Sequence, residues 1–474
     1  MKKFRSWTLL VLAVCVAGCA HYPVNTELPT YDKDAGYRFK NLSSSGNTDS
    51  LFMILAFSGG GTRAAALSYG VLEKLRDTKI TWKGEARRLL DEVDVISSVS
   101  GGSFTAAYYA LYGDDIFRDF ESRFLKKNIE RELTLQLCSP INWFRLASPT
   151  FDRIDMAAEY YDDHIFHRAT FDAWVRRGRR PFILINATDM SLGARFAFTQ
   201  DQFDLLCSDL STFSVARAVA ASSAFPVLLS PVTLKNYAGT CHYQEPEWMA
   251  AALEDRDIAL RRFSEATQDR SYLRATERPY IHLLDGGIAD NIGLRGPLDS
   301  VSSMDSGWSV LRLVNMNRIE KIVVIVVNAK TDPETTFDRK ESAPSWKDVL
   351  MTVATVPMDN YSFDTIELLV ESFKQWEKDY QARRACERQL QAKCPEAELP
   401  GGQLAKVDFY PIVVGFDSLT DPEEQKFFKN LPTTFNLSPD TIERLREVAA
   451  RLLGESKGYQ DLLRDLRRVE DTTG

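Results

Sequence analysis

The sequence predicts an α/β protein with a mostly parallel central sheet and helices on both faces. Three observations carry that expectation. Leu51 to Arg76 and Asp94 to Gly113 each read as an apolar strand, a glycine turn and an apolar helix. Two such units in succession are built most simply with parallel strands and the helix crossing one face. Further on, Ile322 to Val327 (IVVIVV) is the most strongly β-branched run in the chain, which suits a central strand covered on both sides.

The first eighteen residues differ in kind from the rest. Lys2, Lys3 and Arg5 form a basic start, and Trp7 to Val16 is an apolar run too short to span a bilayer comfortably. Small residues follow, as at a secretory cleavage site, and Cys19 comes directly after Gly18. Val16-Ala17-Gly18-Cys19 resembles the lipobox of bacterial lipoproteins. The resemblance implies cleavage before Cys19 and acylation of that cysteine and its new N-terminus. Ala20, where aspartate would retain the protein at the inner membrane, implies sorting to the outer membrane. Several acyl chains suffice for stable anchoring. Residues 1–18 are therefore expected as a lipoprotein signal peptide, 19–50 as a lipidated N-terminus and tether, and 51–474 as the folded domain. Residues 1–18 hold three basic and no acidic residues, so the remainder carries 55 basic against 66 acidic, a formal net charge of −11. That balance argues against nucleic acid as a partner and against a broad electrostatic pull toward anionic membranes.

Residues 20–50 are polar and irregular, with Pro23, Pro29 and a Ser43-Ser44-Ser45-Gly46-Asn47 cluster. Leu51 to Phe57 reads as a buried strand ending in Ser58-Gly59-Gly60-Gly61-Thr62-Arg63. Ala65, Leu67, Val71, Leu72 and Leu75 then recur at helical spacing. Asp94 to Val99 is the next strand, Ser100-Gly101-Gly102 its turn, and a helix is expected from near Phe104. Residues 114–180 look helical, 181–186 (PFILIN) form a further strand, and 196–199 are placed beside it. Val215 to Ser223 is a helix closed by Pro226, residues 242–279 are a charged helical insert, and Tyr280 to Leu284 is a strand ending in Asp285-Gly286-Gly287. Residues 345–395 look helical and amphipathic, 409–414 form a late strand, and Ser438-Pro439 opens a helix that stops at Gly454. No repeat, second membrane span or long linker appears. Cys207 with Cys241, and Cys386 with Cys394, are possible disulfides in an oxidising compartment, and free buried thiols are an equal alternative.

Three glycine turns thus fall at the C-terminal ends of three strands expected to be parallel, the edge where open α/β sheets bind ligands. Ser100 on a strand-to-helix turn has the form of a nucleophile elbow, with Ser98 and Gly102 at the flanking positions. Gly59, Gly60 and Gly61 can turn backbone N–H groups toward an anion, and Arg63 can hold that loop or add charge. There is no P-loop lysine pattern, no C-x-x-C pair, no H-E-x-x-H and no calcium loop, so neither nucleotide nor metal is expected. The five histidines are 21, 164, 167, 242 and 282, none after Asp285, so a Ser–Asp–His order cannot be completed. His282 is expected as a core histidine. Asp285 is left as the base, and partial burial would raise its pKa toward the working range.

Four blocks, in order, resemble the patatin-like phospholipases. They are Gly59-Gly60-Gly61-Thr62-Arg63, Ser98-Val99-Ser100-Gly101-Gly102, Ala221-Ser222-Ser223-Ala224-Phe225-Pro226, and Asp285-Gly286-Gly287 with the trailing Asp290-Asn291. The matched span is 51–295. The resemblance implies a patatin-like three-layer sandwich and a lipid acyl hydrolase that needs no cofactor. By position it implies Ser100 as nucleophile and Asp285 as base. It makes the Gly59, Gly60 and Gly61 amides an oxyanion hole, with Arg63, Gly102 and Gly287 in support. Its substrate would be a phospholipid or another acyl ester. Serine at 98 departs from the family's glycine, and no motif is found beyond residue 330. An esterase or thioesterase acting on soluble acyl substrates, and a non-catalytic envelope lipoprotein keeping the fold, are the alternative readings.

Overall fold

Leu51–Phe57 (β1) is buried at every residue and leads through the glycine loop into Gly61–Asp77 (α1). A small hairpin, Lys79–Trp82 (β2) with Glu85–Arg88 (β3), precedes Val93–Val99 (β4) and Gly101–Tyr112 (α2). Then come Arg153–Tyr161 (α3), Phe182–Asp189 (β5), Ala194–Ala197 (β6), Val215–Ser222 (α4), Val232–Lys235 (β7) and Tyr280–Asp285 (β8). Lys321–Asn328 (β9), the long helix Trp346–Lys393 (α5), Asp408–Gly415 (β10), Pro439–Glu455 (α6) and Lys457–Thr473 (α7) complete the order. The computed structural model describes residues 20–473 except 45, 227, 255, 258–259, 298–317, 333–336 and 394–405. The expected signal peptide and Cys19 lie outside the described residues.

One sheet runs β10-β9-β1-β4-β5-β8-β7, with β6 also paired to β5. The five strands from β10 to β5 are mutually parallel. β1, β4, β5 and β9 are buried throughout, which requires cover on both faces. α1 packs on α2 and α6, and α6 and α7 lie against β10. Gly70 permits the α6 crossing, since a Cβ there would stand 2.5 Å from the Arg446 carbonyl oxygen.

The expected α/β fold is therefore present, with four differences. β8 is antiparallel to β5, Ala187 pairing with Asp285, so the third glycine turn does not end a parallel strand. It still reaches the same edge. β5 outruns β4 by three residues, and β8 enters from beyond that edge and ends level with the end of β4. A strand read as apolar and buried fixes its faces but not its direction. Second, His282 is exposed, its ring bonded to Thr233 Oγ1 at 3.0 Å. Alternation along β8 buries Ile281, Leu283 and Asp285 and turns His282 out. Third, α2 starts at Gly101, three residues before Phe104, because the turn itself is the first helical residue. Fourth, α7 follows α6 with no more than a break at Ser456.

Residues 20–50, expected as a tether, form a strap laid along the domain. Asn25 donates to Ser208 Oγ at 2.8 Å and to the Lys235 carbonyl at 2.9 Å. Leu28 N–H and Tyr31 N–H donate to the carbonyls of Cys207 and Cys241, which are joined by a disulfide. Tyr37, Phe39 and Leu42 enter the core. Their wide spacing among polar residues hides them from a composition reading. Cys138 and Cys386 are free and exposed, and Cys394 lies outside the described residues. α5 is amphipathic only in its later part. Leu369 and Phe373 are buried, whereas Trp346, Val349 and Val353 are exposed. Among the described residues no helix is long and apolar enough to cross a membrane.

Arg38 is the strap's strongest fixing. It is 3% exposed and pairs with Asp201 and with Asp204, the latter at 2.6 Å. Burial pushes the Asp204 carboxyl up to about 6, although Arg38 pulls it down. Removing the cation leaves a buried carboxylate uncompensated, which costs about 3–5 kcal/mol. Arg38→Met is expected to lower urea-unfolding stability by about that much at pH 8. The loss should shrink at pH 5, where Asp204 takes up a proton; an equal loss at both values would contradict this account.

Candidate active site

Ser100 stands between β4 and α2 with φ 49° and ψ −120°. A left-handed serine costs about 1–3 kcal/mol and persists only where its neighbours over-determine it. They do so here. The Ser100 N–H donates to Ser222 Oγ at 2.8 Å, and Ser222 Oγ donates to the Asn186 carbonyl at 2.6 Å. Ser103 Oγ lies 3.0 Å from Ser222 Oγ and donates to Ser98 Oγ at 3.2 Å. Ser98 Oγ in turn donates to the Leu184 carbonyl at 3.1 Å. The serine that replaces glycine at 98 therefore fits the elbow by bonding sideways to β5.

The glycine loop after β1 lies directly against this turn. A Cβ on Gly101 would stand 2.0 Å from the Gly61 carbonyl oxygen, so that contact is backbone on backbone. Gly60 has φ 137° and Gly61 φ 61°, conformations that side chains resist. The three glycines are not equivalent. Gly59 donates its N–H to the Asn291 carbonyl at 3.0 Å and is not free to bind an anion. Among the described residues nothing accepts from the N–H of Gly60 or Gly61. Both stand at the N-terminus of α1, where negative charge is favoured.

Arg63 holds this loop and adds no open charge. Its guanidinium donates to the carbonyls of Ala329 (2.9 Å), Leu431 (2.8 Å) and Pro432 (2.8 Å) and to Thr433 Oγ1 (3.1 Å). Burial pulls it down to about 10. The clamp draws residues 431–434 over the loop, and Thr62 N–H donates to the Thr434 carbonyl at 2.9 Å.

Asp285 ends β8 and is 3% exposed. Its carboxylate accepts the Gly287 N–H at 2.8 Å and faces the Ser100 side chain, which favours its charged form. Burial pushes it up to about 6, against the pull of both donors. Its N–H donates to the Ala224 carbonyl at 3.0 Å and the Gly286 N–H to the Ser222 carbonyl at 3.1 Å, so the end of α4 positions the end of β8. Among the described residues neither Ser100 nor Asp285 hydrogen-bonds to a histidine. Asp290 is buried and accepts the N–H groups of Gly293 (3.1 Å) and Arg295 (2.7 Å), closing the turn after Asp285. Among the described residues no group of three or more His, Cys, Asp or Glu could hold a metal ion.

The structure thus brings together Ser100, Asp285, Gly60, Gly61, Gly102 and Gly287. It places Gly59 and Arg63 behind them as supports. The sequence reading assigned no role to Ser222, Asn186 or Asn291. Ser222 had a signal, its place in the Ala221–Pro226 block, whereas Asn186 looked like one more residue of a strand. Chemically, the arrangement sets a hydroxyl against a carboxylate that takes up a proton near pH 6, beside two open N–H groups.

The buried carboxylate also marks a cost. A shift from 3.8 to about 6 corresponds to about 3 kcal/mol once the group is charged. A native pKa above the unfolded value means the cost is present above pH 6 and vanishes as the pH falls toward 4. Asp285→Asn is expected to melt above the wild type at pH 7.5, with the difference about halved at pH 5. Calorimetry showing a lower melting temperature at pH 7.5 would count against the burial account.

A family model described as patatin-like phospholipase matches residues 55–298, half of the chain. No curated protein matches. Among solved structures, human GIVD cytosolic phospholipase A2 is similar at 15% identity and a TM-score of 0.40, over 89% of this chain and 63% of that one. The same human protein in complex with methyl gamma-linolenyl fluorophosphonate gives 14% identity and 0.39, over 89% and 59%. VipD from Legionella pneumophila gives 12% and 0.24, over 90% and 71%. The chain spans less than two thirds of the human protein's length. The family match takes in the glycine loop, the elbow, the Ala221–Pro226 block and the Asp285 turn, and on it the chain belongs to the patatin-like phospholipase family.

Proposed function

We propose that the chain is a lipid acyl hydrolase of phospholipase A or lysophospholipase type, working through a Ser100–Asp285 dyad. The observation that carries this reading is a buried carboxylate facing the Ser100 side chain on its strained elbow. Asp285 takes the hydroxyl proton as Ser100 Oγ bonds to the ester carbonyl carbon. The carbonyl oxygen becomes an oxyanion facing the Gly60 and Gly61 N–H groups. Losing one such donor typically costs about a hundredfold or more in rate. Collapse breaks the ester C–O bond, and Asp285 returns the proton to the departing alkoxide. Water, deprotonated by Asp285, then attacks the acyl-serine. The fatty acid leaves and the proton returns to Ser100. Gly59, expected from the sequence as a third donor, acts instead by fixing Asn291.

The same reading has the protein in the bacterial cell envelope, held at the outer membrane through acylated Cys19. The Val16–Cys19 pattern supports it.

A fluorophosphonate probe is expected to label the wild type and not Ser100→Ala. Asp285→Asn should label at least about a hundredfold more slowly. Strong labelling of Ser100→Ala would sink the assignment. Fatty acid release from phospholipid vesicles should exceed hydrolysis of short p-nitrophenyl esters; the reverse order would favour a soluble acyl substrate.

Asp285 must be unprotonated to act, and its carboxyl is held up to about 6. kcat/KM should therefore be flat above pH 7 and fall about tenfold per unit well below pH 6. A profile still flat at pH 4.5 would exclude Asp285 as the base.

A further inference from the structure

Residues 133–150 (LTLQLCSPINWFRLASPT) carry a single charge, Arg145, in a chain that is 26% charged. They are nonetheless at the surface. Ile141 is 74% exposed, Trp143 60%, Leu135 54% and Phe144 44%. The polar groups bond within the segment instead. Trp143 Nε1 donates to the Leu137 carbonyl at 2.7 Å and Asn142 Nδ2 to the Gln136 carbonyl at 2.9 Å. Arg145 pairs sideways with Glu159 and lies over the Phe151 ring at 4.1 Å. The short helix Pro140–Leu146 thus reverses the usual surface pattern, with its apolar side chains presented to solvent.

This face adjoins the point where the N-terminal strap begins. The Ala20 carbonyl accepts from Ser148 Oγ at 2.6 Å and Thr150 Oγ1 at 3.2 Å, and Tyr22 N–H donates to the Thr150 carbonyl at 2.7 Å. Cys19 is one residue away, about 3.8 Å along the chain. An acyl group on Cys19 would therefore enter a bilayer with almost no spacer, and the surface around Ser148 would have to meet that bilayer. The face is also tied to the candidate site. The helix Ile129–Leu137 runs from Glu130, whose Oε1 accepts the Phe435 N–H at 2.9 Å and Thr434 Oγ1 at 2.7 Å, beside the glycine loop. Nine helical residues span about 13 Å.

We infer that Ile141, Trp143 and Phe144, with Leu135, seat the protein in a lipid bilayer surface beside the acylated Cys19. This rests on the lipidation proposed above and adds a second contact that orients the domain. An exposed indole whose N–H is already satisfied suits the boundary between head groups and acyl chains. With the face's one charge paired, the seating should not depend on salt.

The test uses the full chain in vesicles of phosphatidylethanolamine and phosphatidylglycerol. Shallow brominated lipids should quench the wild-type tryptophan fluorescence, and Trp143→Phe should lose most of that quench while remaining bound. Equal quenching of the two proteins overturns the proposal. Ile141→Ser/Trp143→Ser/Phe144→Ser should lower fatty acid release from vesicles about tenfold, insensitive to salt, with short-ester hydrolysis within about twofold as the control for folding. If that variant instead splits a dimer and leaves vesicle hydrolysis unchanged, the face joins two copies and the proposal falls. Mass spectrometry of the N-terminal peptide tests the acylation of Cys19 separately, so its failure is distinguishable from that of the face.

Discussion

The arrangement depends on one contact, the backbone of Gly61 against the backbone of Gly101. A methyl group on Gly101 would drive the two loops apart, since its Cβ would overlap the Gly61 carbonyl oxygen, and one on Gly61 would strike the Thr434 backbone that covers the loop. The contact sets the Gly60 and Gly61 N–H groups beside Ser100 rather than merely on the same sheet edge. It also explains why so much surrounding structure is given to clamping. Arg63 pulls residues 431–433 onto one loop, and Ser222 and Ser103 hold the other. Both turns stand at the first residues of a helix, where N–H groups have no partner within the helix, so neither keeps its shape from its own hydrogen bonds.

The Asp285 side of the site is built by a different route. β8 runs against its neighbour, so the aspartate reaches Ser100 from beyond the sheet edge. That approach lets the end of α4 govern both partners. Ser222 Oγ accepts the Ser100 N–H, while the Ser222 carbonyl accepts the Gly286 N–H. A single residue thus fixes the separation of hydroxyl and carboxylate, and a fully buried side chain acquires a strict positional role.

Much of this could be read from residue order, and the reasons for the rest are physical. Strands with uninterrupted apolar runs, such as 51–57 and 322–327, announce burial on both faces. Their glycine turns announce close approach of backbone. Direction is another matter: nothing in Tyr280 to Asp285 distinguishes a parallel strand from an antiparallel one, because pairing partners lie far away in sequence. The strap at 20–50 failed for a related reason. Its fixings are single residues, Asn25, Tyr37 and Arg38, whose partners in the body of the domain are 146 or more positions distant. Within the candidate site, Ser100 and Asp285 were legible because each stands in a glycine turn at a strand end, within blocks that fall in one order along the chain. The division of labour among Gly59, Gly60 and Gly61 was not, since it depends on where the Asn291 carbonyl falls.

On the proposed mechanism, Asp285 must do alone what a histidine and a carboxylate usually share. An exposed aspartate would be too weak a base near neutrality, and a fully desolvated one would never ionise. The chain settles between these limits by burying the carboxylate and then giving it two donors, the Gly287 N–H and the Ser100 side chain. Burial alone would carry the group further upward, and the donors return it to about 6. One of those donors is the group to be deprotonated. As Ser100 loses its proton to Asp285, the carboxylate becomes neutral and the negative charge moves to the far side of Ser100, toward the two glycine N–H groups. Charge thus passes from a buried site to one lined by open donors, a displacement that favours the reacting state over the resting one.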